Sequence, residues 1–438
     1  MPQLFYRSVA TFYLQTLFIS RRESNGFARD LMSSNSGSSL HPFRSLGNPN
    51  FRILWIGVLL WSAGTWMQRI AVSWLVLTTT GSAFLVALSF GLYFLPNLLL
   101  GPFSGAVADR VNRKRLLVAV QSLNVMASLI LMMIVISDVQ QTWLVLLVAL
   151  VFGIGMSFGI PTVQVLVYDL VGPRDARNGI ALQSVVMRSV GAVGAVAGGI
   201  LIETLGFSAT FLAAACCYVL GLVTISLIRY RPIELPTKAE SIVSKLIEGF
   251  RLFFSNRLLT IILAMAMMVE AFGYGAVSLL PVFAGEAVLG VGSGGLGVMN
   301  GALSIGAAFG AFYLGASTES MRMNIKLLVS FLFCGLFTVA YSQSGVFLVS
   351  VVLLAGFGLA EGMFTILVVL LLQQNVPNEM RGRVMGAWTF CIGVGPIGAM
   401  SIGYLAETIG VQYAVGISGA LLVLATSIIT VTVPRLRK

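Results

Sequence analysis

The chain has 438 residues, of which 57% are hydrophobic and only 10% are charged. Soluble domains contain about 45–50% apolar and about 25% charged residues, so this composition excludes an ordinary soluble protein. The net charge of +11 does not indicate a nucleic-acid-binding protein, because the basic residues are spread over short segments between apolar runs.

Residues 1–50 differ from the rest of the chain, and a polar stretch rich in Ser, Asn and Gly begins at Met32. We predict that residues 1–50 form a cytoplasmic, disordered arm. An apolar stretch near its start is too short to span a bilayer and lacks a clear cleavage site, so we expect no signal peptide.

Beyond the arm, apolar runs recur that are long enough to cross about 30 Å of hydrocarbon, which takes about 20 helical residues. The predicted spans are 53–77, 82–107, 115–136, 142–167, 179–202, 208–228, 258–283, 294–315, 325–342, 346–372, 383–405 and 411–432. We therefore predict an all-α membrane protein with twelve transmembrane helices in two six-helix bundles, 51–228 and 258–433. Residues 229–257 form a cytoplasmic linker with an amphipathic helix, and 434–438 form a cytoplasmic tail.

The distribution of basic residues sets the orientation of the spans. Nearly all Lys and Arg residues lie in the arm, in or beside alternate gaps between spans, in the linker and in the tail. The opposite gaps carry acids, namely Asp138, Glu203, Glu286 and Glu407. Because basic loops stay in the cytoplasm, we predict that both termini are cytoplasmic and that the protein lies in the plasma (inner) membrane.

The two halves of the sequence repeat at a constant offset of 204 residues (173 to 377 and 203 to 407). Pro173 pairs with Pro377, and the run E-T-L-G at 203–206 pairs with E-T-I-G at 407–410. Six spans separate the matched segments, so the two bundles have the same orientation. Parallel repeats of this kind place a cavity at their interface near the membrane midplane.

The gap after the second span contains a motif made of Gly105, Asp109, Arg110, Arg113 and Lys114. The motif resembles the G-x-x-x-D-R-x-G-R-K/R loop signature of the major facilitator superfamily, with asparagine at the second glycine position. The resemblance covers residues 51–438 and implies a transporter. It also implies that the loop is a conformational latch, in which Asp109 contacts the positive N-terminus of the eleventh span. The alternative is a basic loop that only sets topology, and we expect that to be the main role of Arg113 and Lys114.

The fifth span carries four glycines at spacings that allow close helix packing. They are Gly191, Gly194, Gly198 and Gly199. This segment is similar to the glycine-rich fifth-helix signature of antiporters in the superfamily, with Ala195 at the usual proline position, and it favours export. With the N-P-N-F-R run at 48–52 and the loop at 171–178, the chain most resembles the branch of enterobactin exporters and macrolide-efflux proteins.

Four charged residues fall inside the predicted spans: Arg69, Arg188, Glu270 and Glu361. Each costs a few kcal/mol in the bilayer unless it faces a cavity or a partner. We therefore predict that they meet in the central cavity and serve substrate binding and proton coupling. In this hypothesis Glu270 or Glu361 exchanges protons, and an arginine biases its charge state. The alternative is a static buried ion pair.

The sequence favours a transporter over other classes of membrane protein. It has no phosphate-binding glycine-lysine loop, no nucleophile motif and no cluster of metal ligands, so we expect no enzyme, no catalytic residue, no cofactor and no metal site. We predict a monomeric secondary transporter that exports a small amphipathic molecule, drug-like or siderophore-like, by proton-coupled alternating access. Its partners are the small-molecule substrate, protons and the lipid bilayer.

Two alternative functions remain open. A proton-coupled importer of a small polar nutrient would need more polar side chains in the cavity. A membrane scaffold without transport would not need unpaired acids in the middle of the bilayer.

Overall fold

The computed structural model describes residues 43–138, 141–230, 256–316, 323–376 and 380–433. The chain separates into two compact units, Met1–Arg44 and Ser45–Lys438, and nearly all described residues belong to the second. Most of the predicted arm, the amphipathic stretch of the linker and the predicted tail lie outside the described residues.

The described secondary structure is helical, without a strand. The first half contains a 3₁₀ helix (Arg44–Gly47), α1 (Pro49–Thr80), α2 (Ala83–Arg110), α3 (Arg113–Ile136) and α4 (Thr142–Leu227). The second half contains α5 (Arg257–Met268), a π-helix (Val269–Tyr274), α6 (Gly275–Val277), α7 (Leu280–Ala284), α8 (Gly292–Ala316), α9 (Met323–Ser342), α10 (Phe347–Gln374), α11 (Arg381–Ile392), α12 (Gly395–Ile409) and α13 (Val411–Thr432). Within the described ranges, 10 helical segments are long and apolar enough to cross a membrane. The prediction of an all-α membrane protein is confirmed.

Helix α4 has 86 residues, but its backbone is interrupted at two glycines. Gly172 has φ 74° and ψ 171°, and Gly206 has φ 82° and ψ 178°. Only glycine adopts such angles without steric cost, so these positions separate helical segments that differ in direction. Gly410, with φ 92°, makes the corresponding break between α12 and α13.

Asn48 determines where α1 begins. Its side-chain oxygen accepts hydrogen bonds from the backbone N–H groups of Asn50 (2.9 Å) and Phe51 (3.2 Å), and a proline follows at the first helical position. The Asn48 amide nitrogen donates to the carbonyl of Leu170 at 2.6 Å. Ser45 adds a hydrogen bond to the Asp175 carbonyl at 3.1 Å. Asn48 of the N-P-N-F-R run and the nearby Ser45 therefore connect the start of α1 to Leu170 and Asp175, at and next to the loop at 171–178.

The glycines of the fifth predicted span lie against two different helices. They are Gly191, Gly194, Gly198 and Gly199, and the first three face α1. A Cβ at the second would lie 2.9 Å from the carbonyl oxygen of Ala63, and one at the third 2.8 Å from the Cα of Met67. The fourth faces α8, where a Cβ would lie 3.1 Å from the Cα of Gly297. Side chains at these positions would push the helices apart.

Candidate functional site

A cavity of about 430 Å³ lies between helices from the first and second halves of the chain. Its wall comes from α1, α2 and α4 in the first half, and from the segment 257–284, α8, α10, α11 and α12 in the second. Ligand-binding pockets measure roughly 300–1,000 Å³, so a small molecule fits. Arg69, Glu270 and Glu361 all line this cavity. The side chain of Arg188 is outside the described part of the structure.

Arg69 is surrounded by aromatic rings. The ring centroids lie 4.5 Å (Trp66), 5.2 Å (Phe94), 5.3 Å (Tyr93) and 5.4 Å (Phe90) from its guanidinium carbon. Aromatic faces attract a cation by roughly 0.5–2 kcal/mol each, most strongly where water is excluded. Arg69 has no hydrogen bond or ion pair with any described residue. The rings therefore hold the positive charge in place without neutralising it.

Glu361 lies on α10 and is only 3% exposed. The Thr365 hydroxyl, one turn further along the helix, donates a hydrogen bond to Glu361 Oε1 at 2.6 Å. The second carboxyl oxygen, Oε2, is buried and has no hydrogen-bond partner among the described atoms. A buried oxygen without a partner is unfavourable, so Oε2 would gain from a donor that enters the cavity.

Glu270 lies on the π-helix Val269–Tyr274, where the sequence pattern predicts a regular α-helix. π-turns inside α-helices are rare and occur frequently at functional sites. The Ser418 hydroxyl donates a hydrogen bond to the Phe272 carbonyl in this turn, which helps to satisfy its backbone. Glu270 has no hydrogen bond or ion pair with a described residue. Its Oε2 lies beside Gly395, where a Cβ would be 3.7 Å away.

The three described charges thus share one cavity but form no ion pair with one another. The alternative of a static buried pair among Arg69, Glu270 and Glu361 does not describe this arrangement.

Sequence reasoning missed much of the cavity wall. The unpredicted lining residues include Trp61, Trp66, Phe90, Tyr93, Phe94, Asn300, Ser304 and Trp388. Aromatic residues in an apolar helix look the same whether they face lipid, the protein core or a cavity, so the sequence carried no signal for them. Asn300 was detectable in principle, because an amide is unusual in a membrane-spanning helix.

Arg113 of the loop motif after α2 forms a buried ion pair. Arg113 Nη1 donates to Asp169 Oδ2 on α4, and the two side chains are only 6% and 5% exposed. The Tyr230 hydroxyl donates to the same carboxyl oxygen at 2.8 Å. Burial, followed by the hydrogen bond to Asp169, raises the pKa of the Tyr230 hydroxyl. Arg113 therefore joins α3 to α4, which goes beyond the topological role expected for it.

The other loop residues have varied surroundings. Lys114 Nζ donates to the carbonyl oxygens of Ser226 (2.7 Å) and Ile228 (2.8 Å), where α4 ends. A cation is favourable at this position, because the last carbonyl groups of a helix lack partners within the helix. Arg110 is exposed. The surroundings of Gly105 and of the Asp109 side chain lie outside the described set, so the contact of Asp109 with the eleventh span stays a prediction.

Two carboxylates connect helices of the first half with helices of the second half. Glu407 Oε2 accepts hydrogen bonds from the Phe84 N–H (2.9 Å) and the Ser82 hydroxyl (3.1 Å) at the N-terminus of α2. Glu203 Oε2 accepts a hydrogen bond from the Gly294 N–H (3.2 Å) at the N-terminus of α8. Helix N-termini attract negative charge. The two glutamates occupy equivalent places in the repeated E-T-hydrophobic-G runs, and each caps a helix of the other half.

An all-helical membrane chain with unpaired charges around a ligand-sized cavity has the features of a membrane transporter. The sequence model of the transmembrane secretion effector family matches residues 37–438. The chain belongs to this family, within the major facilitator superfamily. The resemblance identified from the loop motif is confirmed.

Curated relatives are transporters and not enzymes. The chain is 24% identical to the staphyloferrin A transporter of Staphylococcus aureus, over 81% of this chain and 89% of the relative. It is 26% identical to the enterobactin exporter EntS of Citrobacter koseri, over 87% of each chain.

Solved structures with the same fold include a POT family transporter and the nucleoside transporter NupG. The first has a TM-score of 0.71 at 13% identity, over 89% of this chain and 97% of that chain. The second has a TM-score of 0.69 at 14% identity, over 87% and 99%. At these identities the likeness concerns the fold alone.

Proposed function

We propose that this protein is a secondary transporter that exports a small amphipathic molecule by proton-coupled alternating access. The observation that carries the proposal is the ligand-sized cavity into which Arg69, Glu270 and Glu361 bring unpaired charges. The family match and the curated relatives, among them exporters of enterobactin, favour export over import. The protein acts as a monomer in the plasma (inner) membrane.

The proposed architecture is twelve spans in two parallel six-helix bundles, 51–228 and 258–433, with the 229–257 linker between them. Among the described residues, 10 helical segments are long and apolar enough to cross a membrane. Helix α1, with 32 residues, supplies another span, and the break at Gly206 divides the 54-residue segment Arg174–Leu227 into two. The reciprocal contacts of Glu203 and Glu407 support the parallel repeat. Both termini are cytoplasmic, in keeping with the basic loops.

The transport cycle follows from the chemistry of the cavity. Proton entry can drive export directly when the proton and the substrate compete for the same group. The unpaired Oε2 of Glu361 is such a group, with Glu270 as its neighbour on the cavity wall, while Arg69 and Arg188 bias the charge of these acids. The loop from Gly105 to Lys114 is the cytoplasmic latch, which releases when the bundles rock.

Everted membrane vesicles test this function directly. In vesicles energised to an acidic interior, a fluorescent amphipathic compound should accumulate in proportion to the amount of transporter, and an uncoupler should abolish the accumulation. An importer would instead accumulate its substrate in right-side-out vesicles. A scaffold would accumulate nothing in either orientation.

The two glutamate caps predict a shift between access states. Alternating access requires that contacts between the bundles break at one end of the protein. Glu407→Gln weakens the cap on α2, so we expect several-fold faster labelling, from the periplasmic side, of a cysteine placed at Ser304 in a background without the four native cysteines. Glu203→Gln should act in the same way, and the double variant more strongly.

Glu286→Gln is the matched control, because this exposed acid lies in a gap of the same predicted side and makes no described hydrogen bond. Equal labelling rates in all these variants would show that the caps do not stabilise a closed state.

A further inference from the structure

Charged residues of both signs line the cavity. Arg69 lies on α1 in the first half of the chain, and Glu361 lies on α10 in the second half. Neither has a partner of opposite charge among the described residues. Unpaired charges away from bulk water are unfavourable. A ligand that supplies a partner to each of them therefore gains binding free energy from both contacts.

The surroundings of Arg69 favour a carboxylate as its partner. The aromatic rings within 4.5–5.4 Å of its guanidinium carbon hold the cation without accepting conventional hydrogen bonds from its N–H groups. A guanidinium offers two parallel N–H donors that match the two oxygens of a carboxylate. Arg69 is therefore suited to bind an organic anion with a planar head group.

The surroundings of Glu361 favour a hydrogen-bond donor as its partner. Thr365 binds one carboxyl oxygen, which leaves the buried Oε2 as the atom in need of a donor. A protonated amine supplies both the donor and the opposite charge. Glu270 lies on the same cavity wall.

We infer that the ligand of this cavity is a zwitterionic amphiphile, whose carboxylate binds Arg69 and whose protonated amine binds Glu361. The apolar body of the ligand lies against the aromatic wall, which includes Trp61 and Trp388. This inference rests on the proposed transport function and names its substrate class. A molecule with both groups gives each of these residues a partner, whereas a molecule with only one group leaves the other residue unpaired.

The experiment uses four compounds with the same indole ring. Tryptophan carries both charges, N-acetyltryptophan only the carboxylate, tryptophan amide only the amine, and N-acetyltryptophan amide neither. Binding to the purified full-length protein in lipid nanodiscs is measured by calorimetry at neutral pH, where protons compete less for Glu361 than they do in acid. We expect tryptophan to bind about tenfold more tightly than either singly charged compound, which corresponds to about 1.4 kcal/mol, because it makes one more charge-assisted hydrogen bond. The neutral compound should bind most weakly.

Substitutions assign each charge to its residue. Arg69→Gln should weaken the binding of tryptophan and N-acetyltryptophan, the two compounds with a carboxylate, and leave the binding of tryptophan amide unchanged. Glu361→Gln should weaken the binding of tryptophan and tryptophan amide, the two compounds with a protonated amine, and leave the binding of N-acetyltryptophan unchanged. Arg115→Gln and Glu286→Gln are the controls, because both residues are exposed and lie outside the cavity wall; both variants should keep the wild-type ranking.

Three results would overturn the inference. None of the four compounds binds, or the ranking of affinities does not follow both charges, or the ranking is the same in the wild type, Arg69→Gln and Glu361→Gln. The vesicle experiment separates this failure from a failure of the proposed function. If a neutral or singly charged compound accumulates in a proton-dependent way, the protein is an exporter, but its substrates belong to another class. Absence of any proton-dependent transport would reject the exporter itself.

Discussion

Glu361→Gln should abolish proton-driven accumulation in everted vesicles, while the protein stays inserted and folded. Glutamine has the shape of glutamate, and its carbonyl oxygen can still accept the hydrogen bond from Thr365. It cannot release a proton. The variant therefore loses the exchangeable group but keeps the local packing. Glu270→Gln should have a similar effect, since this acid shares the cavity and also lacks a described partner.

Exchange of labelled for unlabelled substrate separates coupling from general loss of function. At saturating substrate concentration, exchange needs the alternating movement but no net proton flux, so both variants should retain it. Glu286→Gln, an exposed acid outside the cavity, should behave as wild type in both assays. If both cavity variants accumulate substrate normally and keep the pH dependence of the wild type, the coupling hypothesis is wrong.

Arg113→Met should destabilise the protein by about 3–5 kcal/mol, because removal of one partner leaves the other charge of a buried pair uncompensated. The Asp169 carboxylate would keep only the hydroxyl of Tyr230, whose hydrogen bond cannot replace the lost positive charge. Both side chains of the pair are almost fully buried by the surrounding protein. We expect a large fall in the apparent melting temperature of the detergent-solubilised protein.

The double variant Arg113→Met/Asp169→Leu tests the physical cause. Replacing both charges by apolar side chains removes the unpaired carboxylate, so most of the stability should return. Arg115→Met is the matched control: this arginine is an exposed neighbour of Arg113, and surface changes usually alter stability by less than about 0.5 kcal/mol. Equal melting temperatures for Arg113→Met and Arg115→Met would show that the pair adds no stability.

The sequence predicted the charged residues of the site but not the aromatic ones. Arg69, Glu270 and Glu361 stood out because a charge within a long apolar run is costly in lipid, and all three line the cavity. The rings around Arg69 did not stand out, since Trp66 and Tyr93 are as suitable for the core as for a cavity. Asp169 was also missed as the partner of Arg113, because it lies at the end of a run where an acid next to a cytoplasmic loop is unremarkable.

Composition and hydropathy alone determined that this is an all-α membrane protein, because a chain in lipid must satisfy its backbone hydrogen bonds within itself and the bilayer thickness sets the helix length. The loop motif alone pointed to the superfamily. Only the tertiary structure decided that the three described charges share a cavity without pairing, that Glu270 lies on a π-turn and that Arg113 binds Asp169. These features depend on the rotation of each helix about its axis and on which helices become neighbours, and both are set by packing between segments far apart in the chain.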